Sequence, residues 1–402
     1  MSGYGPLLAT LFALLIGLIV GKAWERYKLR EGRWIDRRRS RESPHYVLGL
    51  DFLVGRQLDQ AIEELSRAGS IDPEALEIQM VLGNAYREKG QVGRAITIHQ
   101  NLLQRPKLSK LEHAYVLVCL GLDYRRGGFV DRALEAFQEV RRLDPHNREA
   151  LTQVQRLYEE QHQWDEAARV RQQIASLPNE DPGRNQAILA YIENEIGMQH
   201  LRQQEVGPAA RRFESAIDLD KAAVPAYINL GDVRAREGRM DQAIAQWECA
   251  VRVAPERAYL VFDRLEQAYA KADAPAKFQA FCRRLIDANP QDWRARLALA
   301  RHLAAAGAVR PSLDLLLDAL PFNPHGLSIH QEIWHVLTRL HLDPALVQRY
   351  VDLTRDAVFY LDPHVCTRCR YRSTELLWQC PQCHEWNTFV EERIAPAEGL
   401  ET

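Results

Sequence analysis

Small and aromatic residues recur through most of this chain at fixed offsets. In YVLGLDFLVGRQLDQAIEELSRAGSIDP, Gly49 is followed by Phe52, Ala61, Leu65, Ala68 and Pro73. Thirty-four residues after Gly49 comes Gly83, with Tyr86 and Ala95 at the same offsets. Gly121 leads Tyr124, Ala133, Phe137 and Pro145. Tyr158 and Ala167 follow in step, then Gly197 with Ala209, Phe213 and Ala216. Gly231 leads Ala243, Trp247, Ala250 and Pro255. Weaker copies carry Tyr269 with Pro290, and Ala300 with Gly307, Ala319 and Pro324. Each copy reads as two antiparallel helices. Small residues sit where the helices approach closely, large ones fill the space between neighbouring copies, and the proline ends the second helix or opens the next connection.

These offsets resemble those of the tetratricopeptide repeat. They predict an all-α solenoid over residues 42–342, with about eight repeats that must stack to bury their apolar faces. The spacing stretches twice, to 38 residues from Gly83 to Gly121 and 42 from Tyr158 to the equivalent His200. The second excess falls on SLPNEDPGRNQ, which predicts an exposed loop or hinge near 176–186. After Pro344 the run ALVQRYVDLTRDAVFYL has a helical pattern and predicts a linking helix over 343–362. An acidic tail is expected over 393–402.

The pattern at the N-terminus is different. GPLLATLFALLIGLIVG is one apolar run, and residues 1–21 carry no charged side chain. As a helix this segment would reach roughly 30 Å, one hydrocarbon core, so it predicts a transmembrane anchor. Residues 22–41 hold nine basic and three acidic residues, a local charge of +6 in a basic juxtamembrane linker. The whole chain is −2, so the remainder is −8 and attracts neither nucleic acid nor anionic lipid. Basic residues after the apolar run argue against a cleaved signal peptide and leave the bulk of the chain in the cytoplasm. Cytoplasmic thiols stay reduced, which favours metal over disulfides.

Four of the seven cysteines stand in CTRCRYRSTELLWQCPQCHEW, as two Cys-x-x-Cys pairs separated by ten residues. Each pair forms a knuckle aiming two sulfurs at one point, so Cys366, Cys369, Cys380 and Cys383 are the expected ligands of one metal ion, zinc or iron. All four positions are filled by protein, so the site is closed and structural. A module of about thirty residues, 363–392, lacks a sufficient core and needs the metal to fold. Tyr371, Trp378 and Trp386 are expected to cover the cage. Arg368, Arg370 and Arg372 read as a solvated rim or as a docking patch for the acidic repeats. Cys119, Cys249 and Cys282 fall at helical packing positions and read as buried apolar residues. His99, His146, His162 and Trp164 read as ordinary repeat-surface or packing residues. No phosphate loop, His-Glu-x-x-His or nucleophile elbow occurs, so no enzyme is expected.

CPQCHEWNTFVEE resembles the ribbon of RadA-type DNA repair proteins over about twenty residues, but no ATPase motif accompanies it. The anchor, the basic stretch, YVLGLDFLVGRQLDQAI, LGNAYREKGQVGRAITIHQNLL and the terminal cysteines together resemble the lipopolysaccharide assembly protein B family (LapB, also called YciM). That resemblance implies a rubredoxin-like or zinc-ribbon-like module, and it favours iron at the four cysteines. It also implies a single-pass protein of the bacterial inner membrane, a scaffold or adaptor that limits lipopolysaccharide synthesis. Its partners would be the membrane protease FtsH, the lipid A deacetylase LpxC, whose degradation it promotes, and other lipopolysaccharide assembly proteins. Self-association is compatible with it. The alternative reading is a membrane-tethered electron carrier using an iron–thiolate site. Rubredoxins follow each cysteine pair with glycine, where this chain has Arg370 and His384.

Overall fold

The computed structural model describes residues 22, 43–340, 344–354 and 363–392. The chain divides into two units between Gln161 and His162. In the first, α1 (Pro44–Val54) pairs with α2 (Leu58–Ile71), α3 (Leu76–Glu88) with α4 (Val92–Leu103), and α5 (Lys110–Arg126) with α6 (Val130–Leu143). Helix α7 (Arg148–Glu160) completes it. The second unit opens with α8 (Trp164–Ala175). It continues as α9 (Pro182–Arg202) with α10 (Val206–Leu219), and α11 (Val224–Arg236) with α12 (Met240–Val253). A 3-10 turn, Pro255–Val261, leads into α13 (Phe262–Lys271), which pairs with α14 (Pro275–Ala288). Then come α15 (Trp293–Ala305) with α16 (Val309–Ala319), and the single helices α17 (Leu327–Leu337) and α18 (Pro344–Thr354).

The repeat offsets have a direct steric cause. A Cβ placed on Gly49, Gly83, Gly121, Gly197 or Gly231 would lie 2.7, 2.5, 2.6, 2.5 or 2.4 Å from the side chain sixteen residues on. Those partners are Leu65, His99, Phe137, Phe213 and Trp247, and each is buried in the hairpin of its own repeat. Real Cβ atoms are excluded at such distances, so the glycine is the seat of the large residue.

A second landmark is written in the backbone. The turn between the two helices of each copy holds one residue with positive φ: Arg56, Gly90, Gly128, His162, Gln204, Gly238, Asp273 and Gly307. Among the described residues there are eight such turns. Only four of them use glycine, which is why this landmark is faint in the sequence. The non-glycine residues accept a strained left-handed conformation of about 1–2 kcal/mol to keep the turn tight.

The two stretched spacings lengthen helices. Helix α5 has 17 residues and begins with a capping box, Ser109 accepting from the Glu112 amide while Glu112 accepts from the Ser109 amide. Helix α9 has 21 residues. The hinge expected near 176–186 is therefore shorter than foreseen. It ends at Asp181, whose side chain accepts from the Gly183 amide, and Pro182 starts the helix.

Helix α18 packs Leu346, Tyr350 and Leu353 against the last repeat's core. Residues 355–362 of the expected linking helix lie outside the described residues, as do the apolar run 5–21, most of the basic linker 22–41 and the tail 393–402. Among the described residues no helix is long and apolar enough to cross a membrane. Cys119 and Cys282 are buried as expected, whereas Cys249 is only half-buried.

The C-terminal module departs from the all-α pattern. β1 (His364–Cys366) lies between β2 (Arg372–Ser373) and β3 (Phe389–Glu391), antiparallel to both, with Val365 opposite Val390 and Cys366 opposite Phe389.

Candidate metal centre and its docking face

The two Cys-x-x-Cys segments fold alike. The Arg370 amide donates to the Cys366 carbonyl and the Cys366 amide to the Tyr371 carbonyl. The His384 amide donates to the Cys380 carbonyl and the Cys380 amide to the Glu385 carbonyl, all at 2.9 Å. Arg370 and His384 have φ of 64° and 57°. These left-handed residues directly follow each cysteine pair, where a rubredoxin-like sequence would be expected to have glycine, so the knuckle forms here without it.

All four sulfurs lie within 4.8 Å of one another. The Cys366 and Cys383 sulfurs are 3.7 Å apart, those of Cys369 and Cys380 3.5 Å. A tetrahedral site with metal–sulfur bonds of about 2.3 Å sets its sulfurs about 3.8 Å apart. The donor set fits one closed four-thiolate ion. Burial raises the Cys366 thiol, but hydrogen bonds from the Thr388 hydroxyl and the Cys369 and Arg368 amides outweigh it and hold it low. Burial, and the neighbouring Cys380 and Cys366 sulfurs, push Cys383 up. Four thiolates in one place repel, and a cation is what relieves them.

The buried apolar set of the module is small: Val365, Cys366, Cys380 and Phe389. Phe389 fills the place expected of the tryptophans, with Tyr371 edge-on at 6.4 Å. Trp378 and Trp386 turn the other way. Trp386 stacks on Tyr191 of α9 at 5.5 Å and meets Trp164 of α8 at 6.2 Å. Trp378 lies 6.3 Å from Tyr191 and takes the Arg257 guanidinium at 5.1 Å. The reason is area: the tryptophans bury more apolar surface on the repeats than a cage of four sulfurs offers.

Polar contacts frame this face. Arg184 donates to both oxygens of Glu385 at 3.0 and 3.1 Å, Arg257 donates to Asn387 at 2.6 Å, and Arg294 pairs with Glu391. Arg294 also lies 4.3 Å from the Tyr259 ring and 4.7 Å from that of Trp293. The module's own arginines stay exposed, as a solvated rim would, and pair with its own acids: Arg368 with Glu385, and Arg370 and Arg372 with Glu392. The docking patch expected of those arginines is therefore of opposite polarity. Acidic residues of the module meet basic residues of the repeats. The module does not sit on the end of the solenoid as a cap. It folds back some 200 residues in sequence to α8 and α9.

Family models place a rubredoxin metal binding domain at residues 364–391 and tetratricopeptide repeats at 46–107 and 194–273. Lipopolysaccharide assembly protein B of Escherichia coli (strain K12) is 24% identical over 371 residues, 90% of this chain and 91% of that protein. The chain resembles lipopolysaccharide assembly protein B over nine-tenths of its length. The LapB of Haemophilus influenzae (strain ATCC 51907 / DSM 11121 / KW20 / Rd) gives 24% over 374 residues, 89% of this chain and 91% of its own. Among solved structures, the C-terminal part of a repeat protein from Cytophaga hutchinsonii is 12% identical. It covers 71% of this chain and 98% of its own, with a TM-score of 0.41.

The chain joins tetratricopeptide repeats to a rubredoxin-type module with four clustered cysteines. Sequence reasoning found the cysteines but not their docking partners. Tyr191 stands six residues before Gly197, at no landmark of the period. Arg184, Arg257 and Arg294 look like ordinary surface arginines until the module is placed. His99 proves to be a packing residue of an unusual kind. It is fully buried in the slot held elsewhere by Leu, Phe or Trp, 2.5 Å from the equally buried Asp123, which Arg87 also meets at 3.0 Å.

Proposed function

We propose that this protein is a non-enzymatic adaptor, tethered to the bacterial inner membrane by residues 1–21, with its repeats and metal module on the cytoplasmic side. In this reading Cys366, Cys369, Cys380 and Cys383 hold one zinc or iron ion. The ion neutralises the thiolates and locks the two knuckles. The module then fixes a composite face of metal ribbon and repeat helices for protein partners. The domain plan is anchor 1–21, basic linker 22–41, repeats 42–342, linking helix 343–362, metal module 363–392 and acidic tail 393–402. By the LapB resemblance, the client is the deacetylase LpxC, delivered to the protease FtsH, so that lipopolysaccharide synthesis is held in check. Tethering raises the client's effective concentration beside a membrane enzyme without new contacts.

The observation that carries this reading is the docked module. A closed four-thiolate site offers no open position for chemistry, and its two tryptophans are committed to the repeats. The test is the LpxC half-life in cells lacking the endogenous relative. The full chain should shorten it. A chain without residues 1–21 should fold and load metal but leave LpxC stable. Full regulation by that shortened chain would refute tethering.

A further inference from the structure

Where the module meets the first helices of the repeat pairs there is a cavity of about 280 Å³. Met198 of α9, Ile228 of α11, Leu260, Leu376 and Trp378 supply apolar wall. Asn194, Glu195, Asn229 and Arg264 supply the polar part. We propose that this cavity receives one lysine or arginine side chain from an extended segment of a protein partner, its aliphatic stem along the apolar wall and its charged head at Glu195. This deepens the adaptor reading and rests on it.

Size comes first. The volume falls just below the range of about 300–1,000 Å³ typical of sites for drug-sized ligands, so it suits a single side chain. Charge comes next. Arg264 is spent on Asp232, its Nε donating to one oxygen at 2.7 Å and its Nη2 to the other at 2.9 Å. That leaves no cation for an anionic guest. Glu195 has one hydrogen bond from within the pocket, from the Asn194 amide at 3.2 Å. The exposed Arg202 and His162 act on it only through space. Burial pushes its carboxyl up against these pulls. A half-buried acid in that state gains from a cation at contact distance.

A lysine or arginine satisfies both halves of the site, because its stem is apolar and its head is not. The Asn229 amide donates to Asn194 Oδ1 at 2.8 Å, which leaves the Asn229 carbonyl oxygen as an acceptor at the wall for a peptide N–H or the guest's own donors. One carboxylate among amides is too poor a donor set for a hard metal ion. Two of the walls, Leu376 and Trp378, come from the metal module, so the pocket exists only while the module is docked.

The test uses the full chain in detergent micelles and a fluorescein-labelled nonapeptide with a single lysine between two leucines. Its partners are the same peptide with norleucine or glutamate at that position. Fluorescence anisotropy should show the lysine peptide binding at least tenfold more tightly than the norleucine peptide, and the glutamate peptide not at all. Glu195→Gln should remove the lysine preference and spare norleucine binding. Met198→Lys, which fills the pocket with a cation of its own, should block the lysine peptide and serves if the first variant folds poorly. Equal affinity for lysine and norleucine, a preference unchanged by Glu195→Gln, or no binding of any peptide would overturn the proposal. None of these outcomes depends on the membrane anchor or on LpxC lifetime, so the adaptor reading stands or falls separately.

Discussion

The repeats and the metal module bury themselves by different means. In a repeat, a glycine on one helix seats a large side chain from the next, sixteen residues on, and the contact is complete within about one repeat length. Gly197 under Phe213 and Gly231 under Trp247 are of this kind. The module has no such internal partner for its largest residues. Trp378 and Trp386 find theirs on α8, α9 and the Pro255–Val261 turn, up to 222 positions away from Trp386 in sequence. A repeat therefore makes its largest internal contact locally and buries the rest by stacking on its neighbours. The module has a buried apolar set of only four residues, and its two tryptophans pack on the surface of the repeats.

The largest effect that tests this contrast is Cys380→Ser. Structural zinc contributes about 10–16 kcal/mol to zinc-finger peptides, so the module should lose its metal and unfold while the repeats keep their helical circular dichroism. Retention of an ordered module without metal would break the contrast. Next is Asp123→Ala, inside the repeats. It strands the fully buried His99 and the mostly buried Arg87, and should lower unfolding stability by about 3–5 kcal/mol. Gly231→Ala pushes a Cβ to 2.4 Å from Trp247 and should cost about 1–3 kcal/mol in the same measurement. Trp386→Ala sharpens the comparison from the other side. It should retain the metal and weaken docking by about 2 kcal/mol, seen as easier proteolysis of the module. Smallest is Arg184→Ala. Its pair with Glu385 is half-exposed, so the loss should stay below about 1 kcal/mol.

The same contrast explains how much could be read in advance. The repeats were legible because Gly, the residue sixteen on, and the closing Pro recur at one period. The cysteines were legible because metal ligation demands a fixed short spacing. What was hidden has no period. Four of the eight left-handed turn residues are Arg56, His162, Gln204 and Asp273, exposed residues that take a backbone conformation glycine adopts more easily. Arg370 and His384 do the same in the knuckles. The excess length before His200 reads as loop from its Pro, Asn and Gly, yet Asp181 and Pro182 cap a 21-residue helix there. The docking face joins Trp164, Arg184, Tyr191 and Arg257 to one module, and only tertiary structure brings them together.

The central claim is that the metal-loaded module is part of the working face of the repeats. Hydrogen–deuterium exchange on the full chain, with metal bound and after chelation, tests it most directly. Removing the metal should undock Trp378 and Trp386 and raise exchange around Tyr191 in α9 and in the Pro255–Val261 turn, with α3 to α6 unchanged. Exchange that rises only within residues 363–392 and leaves Tyr191 and Tyr259 as protected as before would contradict the account.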